Sequence, residues 1–277
     1  MKWLCIIWAL TPVSAQFIGA VECGKCHLPQ MEAQAKTPHA MALKQEEKRW
    51  AFGSGQQAIT YVSQRDKEHY LEHGLSWYKA TGKLGLTPGH KTDKGEVYRT
   101  FAPDAAIFRC FQCHSTGRLS LSAGEGIVPA EAGVRCEACH GAGHDHEKLR
   151  NPAKMTPVEI NTLCGACHRM PAGKEASTDW SNAWNTRHQP LYLAESACFL
   201  KSERLTCVTC HNPHEAAAAK PQCESCHSAP KHKAKIGEGS CTACHMPKVV
   251  PQAGLAFTNH WIGIYAPGKP LLPVQRR

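Results

Sequence analysis

Seven pairs of cysteines, each spaced C-x-x-C and each followed at once by histidine, run along this chain of 277 residues. They are Cys23-Cys26-His27, Cys110-Cys113-His114, Cys136-Cys139-His140, Cys164-Cys167-His168, Cys207-Cys210-His211, Cys223-Cys226-His227 and Cys241-Cys244-His245. With 16 cysteines and 17 histidines in the chain, random order would produce only about 0.06 such triplets. A C-x-x-C pair alone suits redox chemistry or zinc, and many cysteines in an exported chain suggest disulfides. The adjacent histidine adds what haem c attachment requires: two thiols to form thioethers with the vinyl groups, and an imidazole beneath the iron. Zinc knuckles need two converging pairs and have no histidine at that fixed place. The expectation is seven covalent haem c groups, bound by these fourteen cysteines and ligated by the seven motif histidines. Only Cys5 and Cys198 fall outside the motifs; Cys198 reads as a small buried hydrophobe.

Ten histidines remain for the far side of the irons: His39, His69, His73, His90, His144, His146, His188, His214, His232 and His260. Bis-histidine ligation is therefore affordable throughout, giving low-spin irons with small reorganisation on redox change. His214 follows His211 by three residues, and His144 and His146 follow His140 by four and six. Tethers that short do not pass round a porphyrin edge, so such residues serve a neighbouring haem. The expected distal ligands are His39, His90, His146, His188, His214, His232 and His260, with His144 competing for the place of His146. His69 and His73, in a stretch without motifs, read as solvated.

The elements that must hold these groups are short. Leu, Ile, Val and Phe are thin for the length, so porphyrins are expected to supply apolar volume that a conventional core would provide. The fold class expected is mainly α with extensive irregular structure wrapped around haems, plus a small β insert at about 50–108. Helices are expected around 31–49, which is rich in good helix formers, and around 180–197. In the motif-free stretch 50–109, Gly53-Ser54-Gly55 and the segments 58–70 and 75–86 read as strands and turns. Motif spacing tightens toward the end, so the last three haems must lie close together. No repeat of fixed length appears.

Residues 1–15 read as a signal peptide: Lys2, an apolar run, and Val13-Ser14-Ala15 before cleavage. Cys5 would leave with it. Residues 16–277 then form a single seven-haem domain, periplasmic or extracellular, with no transmembrane segment. The formal charge of +9 does not argue for nucleic acid, because the haem propionates would offset it.

Several phrases resemble the multihaem cytochrome c group that includes the tetrahaem cytochrome partner of hydroxylamine oxidoreductase. They are Lys36-Thr37-Pro38-His39-Ala40-Met41-Ala42, Arg109-Cys110-Phe111-Gln112-Cys113-His114, Gly133-Val134-Arg135 leading into Cys136-Glu137-Ala138-Cys139-His140-Gly141, Thr206 through His214, and Cys244-His245-Met246-Pro247-Lys248. The resemblance covers nearly the whole chain after residue 15 and is weaker across 50–109. It implies distal ligation by His39, His146, His214 and His260. The chain departs from the group at Ala142, where proline is usual, and at His90 and His188, where aromatic residues are expected.

The function expected is an electron carrier exchanging electrons with a redox protein donor and acceptor, rather than an enzyme. One alternative is a multihaem reductase or oxidase of a small nitrogen or sulfur compound at one five-coordinate haem. In related families such a site is marked by lysine in the motif or a crosslinking tyrosine, whereas all seven motifs here end in histidine. Another is a subunit of a conductive cytochrome filament, with a homo-oligomer or a membrane-associated redox complex as its setting.

Overall fold

The computed structural model describes residues 16–169, 178–216, 221–228, 232 and 240–274; the signal-peptide segment lies outside them. Two helices open the described chain, α1 (Ala20–Gly24) and α2 (Leu28–Ala35), on either side of the first motif histidine. The expected helix over 31–49 stops at Ala35 and gives way to strands β1 (Leu43–Glu46) and β2 (Arg49–Phe52). Helix propensity is a weak preference. Here Leu43, Trp50, Ala51 and Phe52 are all buried in a sheet, which decides against it.

That sheet corrects the mainly α expectation. Strands β3 (Ala58–Gln64), β4 (His69–Glu72), β5 (Leu75–Tyr78), β6 (Lys83–Leu86) and β7 (Glu96–Arg99) complete seven antiparallel strands. Their main path is β1-β2-β3-β4-β7, with β5 branching from β3 to β6. Two further antiparallel hairpins lie outside the insert. One joins β8 (Ser115–Ser122) to β9 (Gly126–Ala132), and the other joins β10 (Lys248–Gln252) to β11 (Leu255–Thr258). Among the described residues 30% are helical and 23% are in strands, so the fold mixes both classes. Motif spacing hid the strands because they lie between the motifs.

The sheet is not an appendage. Its buried residues Leu43, Trp50, Phe52, Val62 and Tyr70 form one apolar cluster with Ile107, Phe111 and Ile127. Phe111 receives Trp50 and Phe52 edge-on at 5.1 Å each and Tyr70 at 5.9 Å. Such edge-to-face pairs add about 0.5–1.5 kcal/mol to simple burial. Phe111 belongs to α3 (Ala106–His114), which carries the second motif. The β-sheet therefore clamps that motif.

The later motifs ride on short helices: α4 (Cys136–His140), α5 (Pro157–His168) and α8 (Cys241–His245). Helix α5 starts on a capping box in which Thr156 and Glu159 satisfy each other's backbone N–H groups, with Pro157 in the first turn. The stretch expected to be helical around 180–197 holds a 3-10 turn over Ala183–Arg187 followed by α6 (Gln189–Ala194) and α7 (Ala197–Lys201).

Candidate haem-attachment centres

In each motif the C-x-x-C-H spacing closes one turn, which brings both thiols and the imidazole to one side. The His27, His211 and His227 amides donate to the carbonyls of Cys23, Cys207 and Cys223 at 2.9, 3.1 and 2.9 Å. All fourteen motif cysteines are free thiols. Cys198 is free as well and only half-buried, with burial pushing its thiol pKa up.

Thiols of different motifs also meet. Cys23 lies within hydrogen-bonding reach of Cys136, Cys164 of Cys207, Cys167 of Cys113 and Cys223 of Cys241. Cys139 interacts electrostatically with Cys164, and Cys223 with Cys210. Attachment points therefore run first, third, fourth, fifth, sixth, seventh, with the second branching from the fourth.

Five motif imidazoles face a second histidine ring. His27 faces His146 at 6.1 Å between ring centres, His168 faces His39 at 6.0 Å, and His140 faces His214 at 6.1 Å. His211 faces His260 at 6.2 Å, and His245 faces His232 at 6.2 Å. Two imidazoles sharing one metal through nitrogens at about 2 Å each have ring centres about 6 Å apart. None of the five partners belongs to the histidine's own motif.

Backbone carbonyls orient several of these rings. Nδ1 of His114, His140, His245 and His260 lies 2.9, 3.0, 2.7 and 2.9 Å from the carbonyl oxygens of Ala42, Arg150, Gly263 and Thr258. A carbonyl only accepts, so Nδ1 carries a hydrogen in each, and Nε2 is the nitrogen that faces away from the backbone. Burial pushes the pKa of His39, His114, His168, His211 and His214 below the usual histidine value, and that of His260 down to about 4.

Several known proteins are similar to this chain. The family model "Cytochrome c554 and c-prime" matches residues 89–141. "Multiheme cytochrome MtrA" of Shewanella baltica (strain OS185) is 24% identical over 185 residues, covering 56% of this chain and 50% of that protein. The chain thus spans about half the length of the curated relative it matches. Among solved structures, outer cell wall cytochrome OcwA superposes with a TM-score of 0.56 at 16% identity, over 89% of this chain and 79% of that one. The undecahaem S-layer cytochrome of Carboxydothermus ferrireducens gives 0.47 at 17% identity, over 85% and 45%. The chain is a multihaem c-type cytochrome.

Its cofactor is covalent haem c, and cytochromes of this kind transfer electrons between redox partners. The side chains fit that group. Among the described residues, buried polar atoms without a hydrogen-bond partner include Arg187 Nε, His188 Nε2 and Tyr192 OH on one segment, with Gln34 Oε1, Glu131 Oε2 and Arg135 Nε elsewhere. Orphaned groups of this kind cost about 1–3 kcal/mol each unless something satisfies them.

The pairing histidines of the cytochrome are placed by residues that the motif pattern does not reveal. Gly133, with φ +83°, has Ala40 O where a Cβ would stand, and this close approach lets Val134 N donate to His39 O at 2.8 Å. The buried Ser196 hydroxyl donates to His260 O at 2.9 Å and accepts from Ile262 N at 2.8 Å. Glu137, inside the third motif, accepts from the amides of Ile18, Gly19 and Gly143 at 3.0, 2.8 and 2.7 Å.

His114 has no second imidazole opposite it among the described residues, and neither has His227. Beside His114 lies a cavity of about 300 Å³ whose walls include Cys110, Phe52, Thr60, Glu72, Trp184 and Arg187. His188 follows Arg187 directly; burial, Arg187 and Arg169 together lower its pKa to about 4. His90 is elsewhere. Both of its ring nitrogens are engaged, with Lys94 O at 3.2 Å and Glu72 Oε2 at 2.6 Å, and no motif histidine faces it. His69 bonds to Asp66 and His73 to Ser63, at 2.7 and 2.8 Å.

Proposed function

We propose that the cytochrome binds seven haem c groups and conducts electrons along them between a redox protein donor and acceptor outside the cytoplasm. The observation that carries this reading is the set of five imidazole pairs at 6.0–6.2 Å. His146, His214, His39, His260 and His232 would be distal ligands opposite His27, His140, His168, His211 and His245. The thiol contacts support one continuous series from the first motif to the seventh, with the second as a side branch on the fourth. When bound, the groups supply one-electron carriers, and the short spacing of their attachment points makes hopping fast without a moving part. No helix among the described residues is long and apolar enough to cross a membrane.

Haem count and spin state test the reading. Seven covalent haems by intact mass and a predominantly low-spin ferric spectrum are expected. Fewer than seven haems, or high-spin signals at the five paired sites, would overturn it.

A second reading is favoured at one place, the second motif. There His114 stands beside a cavity instead of an imidazole, the setting for one open iron that takes a small nitrogen or sulfur compound. Its rival is ligation by His188, whose Nε2 is buried and unpartnered. The two part in the ferric spectrum. An open iron at the second motif gives a high-spin signal that disappears with Cys110→Ser/Cys113→Ser, that added cyanide abolishes and that His188→Ala leaves unchanged; a His188-ligated iron there becomes high-spin only in the His188 variant.

A further inference from the structure

The Glu72 carboxylate stands where the β-sheet meets the second motif. It shares the cavity wall with Cys110 and His114, yet its Oε2 is engaged by two neighbours of its own sheet region. His90 Nε2 lies 2.6 Å away, and the Tyr98 hydroxyl donates to it across 2.9 Å. The other nitrogen of His90 faces the Lys94 carbonyl at 3.2 Å, so Nδ1 carries a hydrogen. A second proton must lie between Nε2 and Oε2, because two lone pairs do not approach to that distance without one. The pair thus holds a proton that either residue can own, as imidazolium with carboxylate or as imidazole with carboxylic acid.

The surroundings suit a transferable proton. The His90 side chain is only 3% exposed and that of Glu72 19%, so Glu72 is the more open end and faces the haem cavity. From β7, the Tyr98 hydroxyl also lies 2.8 Å from Glu96 Oε2, and one hydroxyl hydrogen serves two carboxylates. From α3 come the Cys110 sulfur and His114, from the 183–187 turn comes Arg187, and β3 adds Ala58, Thr60 and Val62, none of them charged. Burial opposes a charge on His90, but Glu72 and the Lys94 carbonyl outweigh it and hold its pKa above the ordinary value.

We propose that the His90 and Glu72 pair is a proton store coupled to the redox state of the iron held by His114. The pair keeps its proton while that iron is ferrous. It releases the proton to bulk water when the iron passes one electron to a neighbouring ferric haem of the same chain. A ferric centre carries one more positive charge than a ferrous one, and across a cavity of low polarity that charge weakens the hold on a nearby proton. The proposal rests on the second motif carrying a haem.

The test is spectroelectrochemical titration of the holoprotein over about pH 6–9, the range around the ordinary histidine value and above it. In the native protein the haem of the second motif should change its reduction equilibrium by up to tenfold per pH unit, about 59 mV for one electron. Glu72→Gln and His90→Gln should each flatten that slope while the other haems keep theirs. Glutamine preserves size and hydrogen bonding, and if one variant fails to fold the other carries the test. The variant Cys110→Ser/Cys113→Ser identifies the signal by removing it, and its mass should fall by one haem. An unchanged number of covalent haems there overturns the haem assignment on which the proposal rests. A loaded motif whose slope persists in both glutamine variants overturns the proton store alone.

Discussion

Under the proposed ligation, imidazole Nε2 is the atom on which this cytochrome would depend, and the fold aims it through hydrogen bonds from Nδ1 to backbone carbonyls. Among the pairs, His140 and His214 are nearly parallel at 13°, and burial together with the His140 charge lowers the pKa of His214. Replacing His214 with alanine is expected to leave the third motif's iron without its distal ligand. One high-spin ferric signal should appear in the electron paramagnetic spectrum, with haem content unchanged. His90 answers to pH in the opposite sense from the buried paired histidines. Its pKa is raised by Glu72 and the Lys94 carbonyl against the effect of burial, so its charged form is favoured by folding. That contribution is complete below about pH 6.5, the unfolded value, and is lost as the pH rises through the raised folded value. Thermal unfolding should therefore occur at lower temperature at alkaline pH, and His90→Gln should reduce this dependence.

Short elements need outside help, because a helix of five or nine residues does not hold itself together in water. Helix α3 obtains it from the aromatic ring of Trp50, Phe52 and Tyr70 around Phe111. Phe111→Ala should cost about 3–5 kcal/mol in denaturant unfolding, and it should reduce haem loading at the second motif before any other. The tail is fixed differently. Asn259, fully buried, donates to the carbonyls of Pro270 and Leu271 at 2.8 and 3.0 Å, and Ser196 grips the backbone on either side of Trp261. Ser196→Ala leaves the Ile262 amide without that acceptor, at a cost of about 1–3 kcal/mol. Loosening of His260 should show as partial high-spin character at the fifth motif.

Across the whole molecule, under the proposed function, the contacts among thiols would separate a through route from a side branch. Removing the fourth attachment site with Cys164→Ser/Cys167→Ser should divide the haems into two groups. Stopped-flow oxidation at one end would then leave a slow fraction that the native protein lacks. The corresponding change at Cys110 and Cys113 should remove one haem and leave the through route fast. A single phase in the first variant would show that the order of attachment points is not the order of transfer. The β-sheet belongs to this scale as well, since it holds α3 and lines the cavity beside His114 rather than standing apart as an inert insert.

Residue order by itself determined the attachment chemistry, because C-x-x-C-H closes one local turn and needs nothing from the rest of the chain. Residue order also gave the expectation that His146 and His214, tethered closely to their own motifs, serve other haems, a limit set by chain length. It did not say which motif each one meets: the approach of His146 to His27 and of His214 to His140 is a property of packed elements. Helix formers over 31–49 pointed the wrong way because burial of Leu43, Trp50 and Phe52 against Phe111 outweighs tenths of a kcal/mol per residue in propensity. The placing of Glu72, His90 and Tyr98 at the second motif was decided by the tertiary structure alone. These residues sit on separate strands and a loop with no spacing rule to join them, and only strand pairing brings a carboxylate, an imidazole and a phenol together near His114.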